Sequence, residues 1–510
     1  MTAPTRPAEP PAAGRVLSAL PLGGCPDGRT LLTARWVLGH GEGEHRLIPD
    51  GEVVIEGGRI LFVGRRFDGE VARRLDFGLA LISPGLIDLD ALSDLDTTVL
   101  AIDHQPGWAK GRVWPQSYVE RGPYEMYTPD ELAFQKRFAF AQLLLNGITT
   151  AAPIASLFYR EWGETVAEFE AAADAAGEMG LRVYLGPAYR SGGMVLEGPG
   201  RMVPVFDEAR GLAGLDAAIS YIRNHDGRHS GLVRGLLAPD RVETCTAELL
   251  RRTDAASREL GCPIRLHMAQ GRMELDTVRT LHGTTAPEWL ASLGLLSPRL
   301  IAPHAILATD ADLRLYAEHG VHVVHCPLVS GRGGSMLRSF GGLRAMGINI
   351  AMGTDTAPPD MLLNLLTALI TGRIAGGPNS VRSADMWDAA TLGGARALGR
   401  DDLGRLIPGA PADIAVYLRR PSLGGDVQQA LNVPALSMGR FYTGWSADRV
   451  GGHYTRAGRG NGDSRCARRF RHARRRVRVD QVQDHSLASR TATMDAMSGA
   501  FSSICRSATT

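Results

Sequence analysis

The sequence predicts an α/β protein whose parallel strands close into a barrel, preceded by a small β-unit and followed by a returning strand. Three observations predict this. From Ser83 to about Gly399, short apolar runs alternate with amphipathic helices, the mark of repeated βαβ units. These units are numerous enough to favour a closed barrel over an open sheet. Ahead of them lie three short β-type runs, LLTARWVL, GEVVIEG and RILFVG, with Gly57-Gly58 as a hairpin turn signal between the last two.

Taken in order, residues 1–28 are Pro/Ala-rich and read as a disordered leader; lacking an apolar core, they are not a signal peptide. Residues 29–82 hold the β-unit and 83–400 the barrel. One helix is strongly marked, with Thr128 as N-cap, Pro129 at the first turn, Glu131 three residues after the cap and Gly147 beyond the end. A second runs from about Glu164 to Gly180 into the strand LRVYLG, and a third from Thr246 to Gly261 into CPIRLHM. LIAPHA (300–305), VHVVHCP (321–327) and INIAMGTD (348–355) are further strands. Within 401–426, PGAPADIAVYLRRPS resumes β-type alternation and would complete the opening β-unit.

The remainder, 427–510, is basic and then rich in Ser, Thr and Ala. Ten arginines and two aspartates lie between Arg456 and Asp480. A basic arm for nucleic acid is one reading. A disordered tail, or the product of a shifted reading frame, is favoured because Phe470 is the only aromatic among those arginines.

Lys and Arg number 56 against 54 Asp and Glu, so outside that tail the chain is mildly acidic, with no nucleic-acid or membrane-surface partner expected. The six cysteines are scattered without a CxxC pair, and Cys262 and Cys326 read as buried thiols in apolar strands. No apolar run is long enough to span a bilayer. A cytoplasmic protein acting on a small molecule is expected, and a homo-oligomer is left open.

Chemistry in such a barrel sits where strands end. His267, His304, His325 and Asp355 end four successive strands. One histidine there is more often structural than functional, but four polar strand ends in a row point to a site. His325 precedes Cys326, yet neighbouring strand residues face opposite ways, which argues against a histidine–thiol pair.

Nine segments in order resemble the amidohydrolase superfamily, above all its cytosine-deaminase and chlorohydrolase-like branch, over roughly residues 30–420. They are GEVVIEGGRILFVG, SPGLID, NGITT, LHMAQ, APH, HCPLVSG, MGTDTAPPDM, ATLGGARALG and IPGAPADIAVY. The resemblance implies a (β/α)8 TIM barrel with a small β-sandwich domain built from both ends of the chain. It also implies a divalent metal that activates water against a C–N or C–halogen bond. The family's ligands are a His-x-His pair after the first strand, a His on the fifth and an Asp on the eighth. A Glu three residues after the fifth-strand His shuttles protons, and a sixth-strand His steadies the oxyanion.

His267, His304 and Asp355 match that pattern. Elsewhere the chain departs from it. Asp90 stands where the first His belongs, Leu92 where the second belongs, and Gln270 at the proton-shuttle position. Leu92 cannot bind metal, and Gln270 cannot exchange a proton at neutral pH. A rebuilt metal set of Asp90, His267 and Asp355, holding Zn, Fe or Mn, is the sharper reading; a chain without metal is the other. The first strand's end is rich in acid, with Asp88, Asp90, Asp94 and Asp96, which could also cap the following turn. His304, Asp355 and Gln270 are the catalytic candidates. His104, in a loop with Trp108 and Trp114, and Arg190 and Arg332 are candidate substrate contacts; Tyr189 faces the same mouth.

Two functions follow. The first is an amidohydrolase-like enzyme hydrolysing a C–N bond of a small polar molecule, as a deaminase or an amide or ring hydrolase. The alternative is a metal-free relative that binds a small molecule or catalyses a non-hydrolytic reaction. The losses at Leu92 and Gln270 favour the second; the retained His267, His304 and Asp355 favour the first.

Overall fold

A computed structural model of the chain describes residues 28–94, 113–115, 127–155, 162–198, 201–418 and 444–445. The chain divides into two units, Met1–Thr455 and Arg456–Thr510, and every described residue belongs to the first. The expected leader up to Asp27, the loop with His104 and Trp108, and all of the tail but Gly444 and Trp445 lie outside the described residues.

The described chain opens with β1 (Thr30–Gly41), β2 (Glu44–Glu56), β3 (Arg59–Gly64), β4 (Arg73–Asp76) and β5 (Ala80–Pro84). A long antiparallel hairpin joins β1 to β2, with Thr30 opposite Ile55 and Gly41 opposite Glu44. Gly57 and Gly58 turn β2 into β3 with φ of 55° and 75°. A two-residue hairpin of primed type needs such positive φ, which glycine adopts without a Cβ clash.

Eight strands then run parallel, interleaved with helices. They are β6 (Leu86–Ala91), β8 (Ile148–Pro153), β9 (Arg182–Leu185), β12 (Val233–Gly235), β13 (Ile264–Arg265), β14 (Leu300–Pro303), β15 (His322–His325) and β16 (Ile350–Met352). They form two four-stranded sheets, ordered β12-β9-β8-β6 and β13-β14-β15-β16. A parallel bridge between Leu237 and Ile264 links the sheets on one side. On the other, the Asp355 amide donates to the Asp90 carbonyl. One buried cluster draws Ile87, Leu89, Ala152 and Tyr184 from the first sheet and Ile301, Val324 and Ala351 from the second. The protein is thus mixed α/β, with parallel strands alternating with helices. A separate small sheet pairs β10 (Gly192–Gly198) with β11 (Arg201–Phe206) and with β7 (Val113–Pro115).

The helices begin and end where local chemistry dictates. Helix α1 (Pro129–Leu145) carries a complete Thr128–Glu131 capping box and proline in its first turn. Helix α2 (Val166–Met179) is boxed by Thr165 and Glu168 and stops at Gly180 in the left-handed conformation. Helix α3 (Glu208–His225) follows β11, and α4 (Ala247–Leu260), capped by Thr246, stops at left-handed Gly261. Helices α5 (Arg272–His282), α6 (Asp310–His319) and α7 (Met361–Gly376) follow β13, β14 and β16.

Segment 408–422 contributes β17 (Ile414–Leu418), antiparallel to β5, with β18 (Gly444–Trp445) beyond it. The result is a seven-stranded sheet whose strands come from both ends of the described chain. Its buried face collects Leu32, Val37, Val53, Ile82, Ile414 and Val416. A buried ion pair, Arg182 Nε to Asp413 Oδ2 at 3.0 Å, ties the start of β9 to the residue before β17. Among the described residues, no helix is long and apolar enough to cross a membrane.

Candidate active site

The C-terminal ends of β6, β13, β14 and β16 converge on Asp90. Every residue of β6 is buried, including Asp88 and Asp90. Asp88 accepts from Thr354 twice, through the hydroxyl at 2.6 Å and the backbone amide at 3.1 Å. Burial pushes the Asp88 pKa up to about 7 against those hydrogen bonds.

Asp90 is ringed by cationic or proton-bearing groups. Its Oδ1 lies 3.4 Å from His267 Nε2 and 3.9 Å from Arg265 Nε. Its Oδ2 lies 3.8 Å from His304 Nε2 and accepts from the Cys326 thiol at 3.5 Å. Burial alone would raise the Asp90 pKa; His267, His304 and Arg265 outweigh it and hold the carboxyl below the ordinary range. The Cys326 thiol is pushed upward by burial and by Asp90, so it stays protonated.

His267 follows β13. Its Nδ1 sits 3.1 Å from the Asp240 carbonyl oxygen. A carbonyl only accepts, so Nδ1 carries the proton, and in the neutral ring Nε2 turns a lone pair toward Asp90. Two lone pairs facing each other at 3.4 Å call for a cation or a proton between them. The nitrogens of His267 and His304 and a carboxylate oxygen of Asp90 all lie within 4.8 Å of one another. Three such donors with room for a fourth ligand suit a catalytic divalent metal, so the residues present fit one.

Strained backbone holds this geometry. Ala269, His304, Ala305 and Asp355 all have positive φ, of 54°, 76°, 53° and 59°. Non-glycine residues rarely adopt that region except where surrounding structure enforces it. His304 Nε2 is 2.9 Å from the Gln270 side-chain nitrogen and 3.5 Å from Asp355 Oδ2. Gln270 is itself held by Glu274, whose carboxylate accepts from the backbone amides of Ala269 at 2.6 Å and Gln270 at 2.7 Å.

Of the residues singled out from sequence, Asp90, His267, His304, Gln270 and Asp355 therefore come together. The metal-capable group contains His304, whereas Asp355 stands beside it. Arg190 is buried and pairs with Asp240 Oδ2 at 3.2 Å, the residue whose carbonyl orients His267. Arg332 donates to Thr356 Oγ1 and the Ala357 carbonyl, beside the Asp355 turn. Tyr189 is fully buried against Thr253 Oγ1. His104 lies outside the described residues. His325 turns toward Phe340 while Cys326 turns toward Asp90. Leu92 is buried.

Sequence reasoning missed Arg265, Asp240 and Glu274. A signal for Arg265 existed. It precedes His267 by two residues in CPIRLHM, and alternation along a strand puts such a pair on one face.

Comparison with known proteins gives four findings. The model of the amidohydrolase family matches residues 82–432. A 5-methylthioadenosine/S-adenosylhomocysteine deaminase of Pelotomaculum thermopropionicum is 29% identical over 397 residues, covering 75% of this chain and 83% of the relative. Among solved structures, an adenosine deaminase from Xanthomonas campestris with bound zinc aligns with a TM-score of 0.67 at 22% identity, over 88% of this chain and 97% of the other. A guanine deaminase from C. acetobutylicum with bound guanine aligns with a TM-score of 0.66 at 16% identity, over 83% and 100%. At these identities the structural likeness speaks to the fold.

Proposed function

Because the chain belongs to the amidohydrolase family, we propose that it hydrolyses the C–N bond of an amino-substituted nitrogen heterocycle, releasing ammonia. It is a hydrolase acting on carbon–nitrogen bonds other than peptide bonds. In this reading the two four-stranded sheets are halves of one (β/α)8 barrel, joined at the Leu237–Ile264 bridge and at Asp90–Asp355. The seven-stranded sheet is the small β-domain built from both chain ends.

The observation that carries the proposal is the cluster of Asp90, His267 and His304 donor atoms within 4.8 Å. These three residues would hold a divalent metal, whose chemistry is Lewis acidity that yields hydroxide from water near neutral pH. Asp355, 3.5 Å from His304, takes the proton of the attacking water. Asp355 then delivers that proton to the departing amine, since the Gln270 amide cannot. Gln270 instead holds the His304 ring and offers an amide to the substrate. Water adds its oxygen to the ring carbon, the C–N bond breaks, and the products are the ring carbonyl and ammonia. Aminopurines and their nucleosides are the substrate class, in keeping with what the similar proteins are named for.

The test is ammonia release from adenosine, 5-methylthioadenosine, S-adenosylhomocysteine, guanine and cytosine, with zinc, iron or manganese supplied. Turnover of one of these by the wild type, lost in a folded Asp355→Ala chain, is the expected result. No ammonia from any substrate with any metal sinks the proposal.

A further inference from the structure

We infer that Arg265 is a resident cation that competes with divalent metal for Asp90, so that the site binds metal more weakly than its three donors alone dictate. This rests on the metal-assisted reading given above. Arg265 is 2% exposed, and its Nη1 donates to the carbonyl oxygens of Ala152 and Pro153 at the end of β8. Its Nε is buried, makes no hydrogen bond, and stands 3.9 Å from Asp90 Oδ1. That is the oxygen lying 3.4 Å from His267 Nε2, the oxygen a metal between these residues would use.

The competition follows from the chemistry of the guanidinium. The His267 ring, with its Nδ1 proton held by the Asp240 carbonyl, can offer a metal the lone pair of Nε2 without bringing a charge of its own. A guanidinium cannot shed its charge in a protein. Nor can Arg265 swing aside without giving up its two carbonyl acceptors. Metal entering beside Asp90 therefore meets a fixed like charge in a buried setting, where Coulomb terms are screened far less than in water. The same charge neutralises Asp90 when metal is absent, so the metal-free chain keeps its Asp90 carboxylate compensated and folds.

The experiment is a chelator-competition titration of zinc into the metal-free full-length chain, as wild type, Arg265→Gln and Arg265→Lys. Glutamine removes the charge while keeping a polar amide at the level of Arg265 Nε; lysine keeps the charge. Arg265→Gln is expected to bind zinc at least roughly tenfold tighter than wild type, about 1.4 kcal/mol. Arg265→Lys is expected to stay within about threefold of wild type. Equal affinities for wild type and Arg265→Gln overturn the role of Arg265 and leave the metal site standing. No zinc bound by either chain at millimolar metal overturns both. Should Arg265→Gln fail to fold, Asp90→Asn decides by melting of the metal-free chain. Loss of the carboxylate strands a buried guanidinium and lowers the Tm by several degrees, whereas an unchanged Tm overturns the pairing.

Discussion

The backbone amide of Asp355 donates to the carbonyl oxygen of Asp90 at 2.6 Å, joining the end of the eighth parallel strand to the end of the first. Thr354, one residue earlier, donates twice to Asp88. Three hydrogen bonds thus set the spacing between the two carboxylates assigned to metal binding and to proton transfer.

Thr354→Val keeps the shape of that contact and removes the hydroxyl. Asp88 is then left buried with one fewer donor, and an unsatisfied buried acceptor costs about 1–3 kcal/mol. Urea denaturation should show a loss of that order. Activity on the best substrate should fall as well, because Asp355 follows directly. Unchanged stability and turnover would mean that the Thr354–Asp88 contact does not hold the strand ends together.

Gly353 precedes that contact and has almost no room beside it. A Cβ added there would come within 2.7 Å of Asp90 Cβ, 2.8 Å of Cys326 Sγ and 2.9 Å of Val324 Cγ1. Gly353→Ala should therefore cost about 1–3 kcal/mol through overpacking and displace Asp90. Its expected signature is a lower Tm together with reduced zinc occupancy. A lower Tm with full occupancy would place the strain away from Asp90.

The parallel α/β architecture was legible because helix caps and strand runs are local. Thr128 and Thr246 each announce a helix, and glycines such as Gly180 and Gly261 end them. The strand-end residues His267, His304 and Asp355 were legible for the same reason. For Arg265 only its face was legible, from the two-residue spacing to His267; its partner was not, since Asp90 lies 175 positions earlier. Glu274 escaped notice because its role is to hold two backbone amides in a tight turn, which no periodicity in the sequence reveals. The place of His304 beside Asp90 depends on a positive φ at His304 itself, a tertiary constraint rather than a propensity.

Gln270→Glu puts a titratable group within reach of His304 Nε2, where the amide nitrogen now stands at 2.9 Å. A general acid–base group in such a position is worth about 10²–10⁴-fold in rate. On the proposed reaction the variant should raise kcat by at least about tenfold. It should also add a limb to the pH–rate profile that wild type lacks. An unchanged kcat and profile would show that Asp355 already carries the whole proton inventory.

Glu274 makes stability depend on pH. Burial, helped by Glu243, pushes its pKa from an ordinary 4.5 up to about 7, while the amides of Gln270 and Ala269 and the Arg241 guanidinium oppose the rise. Tyr316 also faces it and stays neutral in this range, its own pKa raised by burial. Between those two pH values the folded chain holds a proton that the unfolded chain releases. Stability therefore falls as pH rises through the window, by up to about 1.4 kcal/mol per pH unit from this one group. Glutamine at 274 cannot titrate, so Glu274→Gln should lose that slope while paying a constant cost for one amide left facing an NH2. Urea melts of both chains from about pH 5 to about pH 8 decide the matter. The gap between them should narrow as pH rises, because the wild type alone loses the Glu274 contribution while the Asp88 contribution is common to both. A gap that stays constant would mean that Glu274 is ionised throughout and that the two backbone amides outweigh its burial.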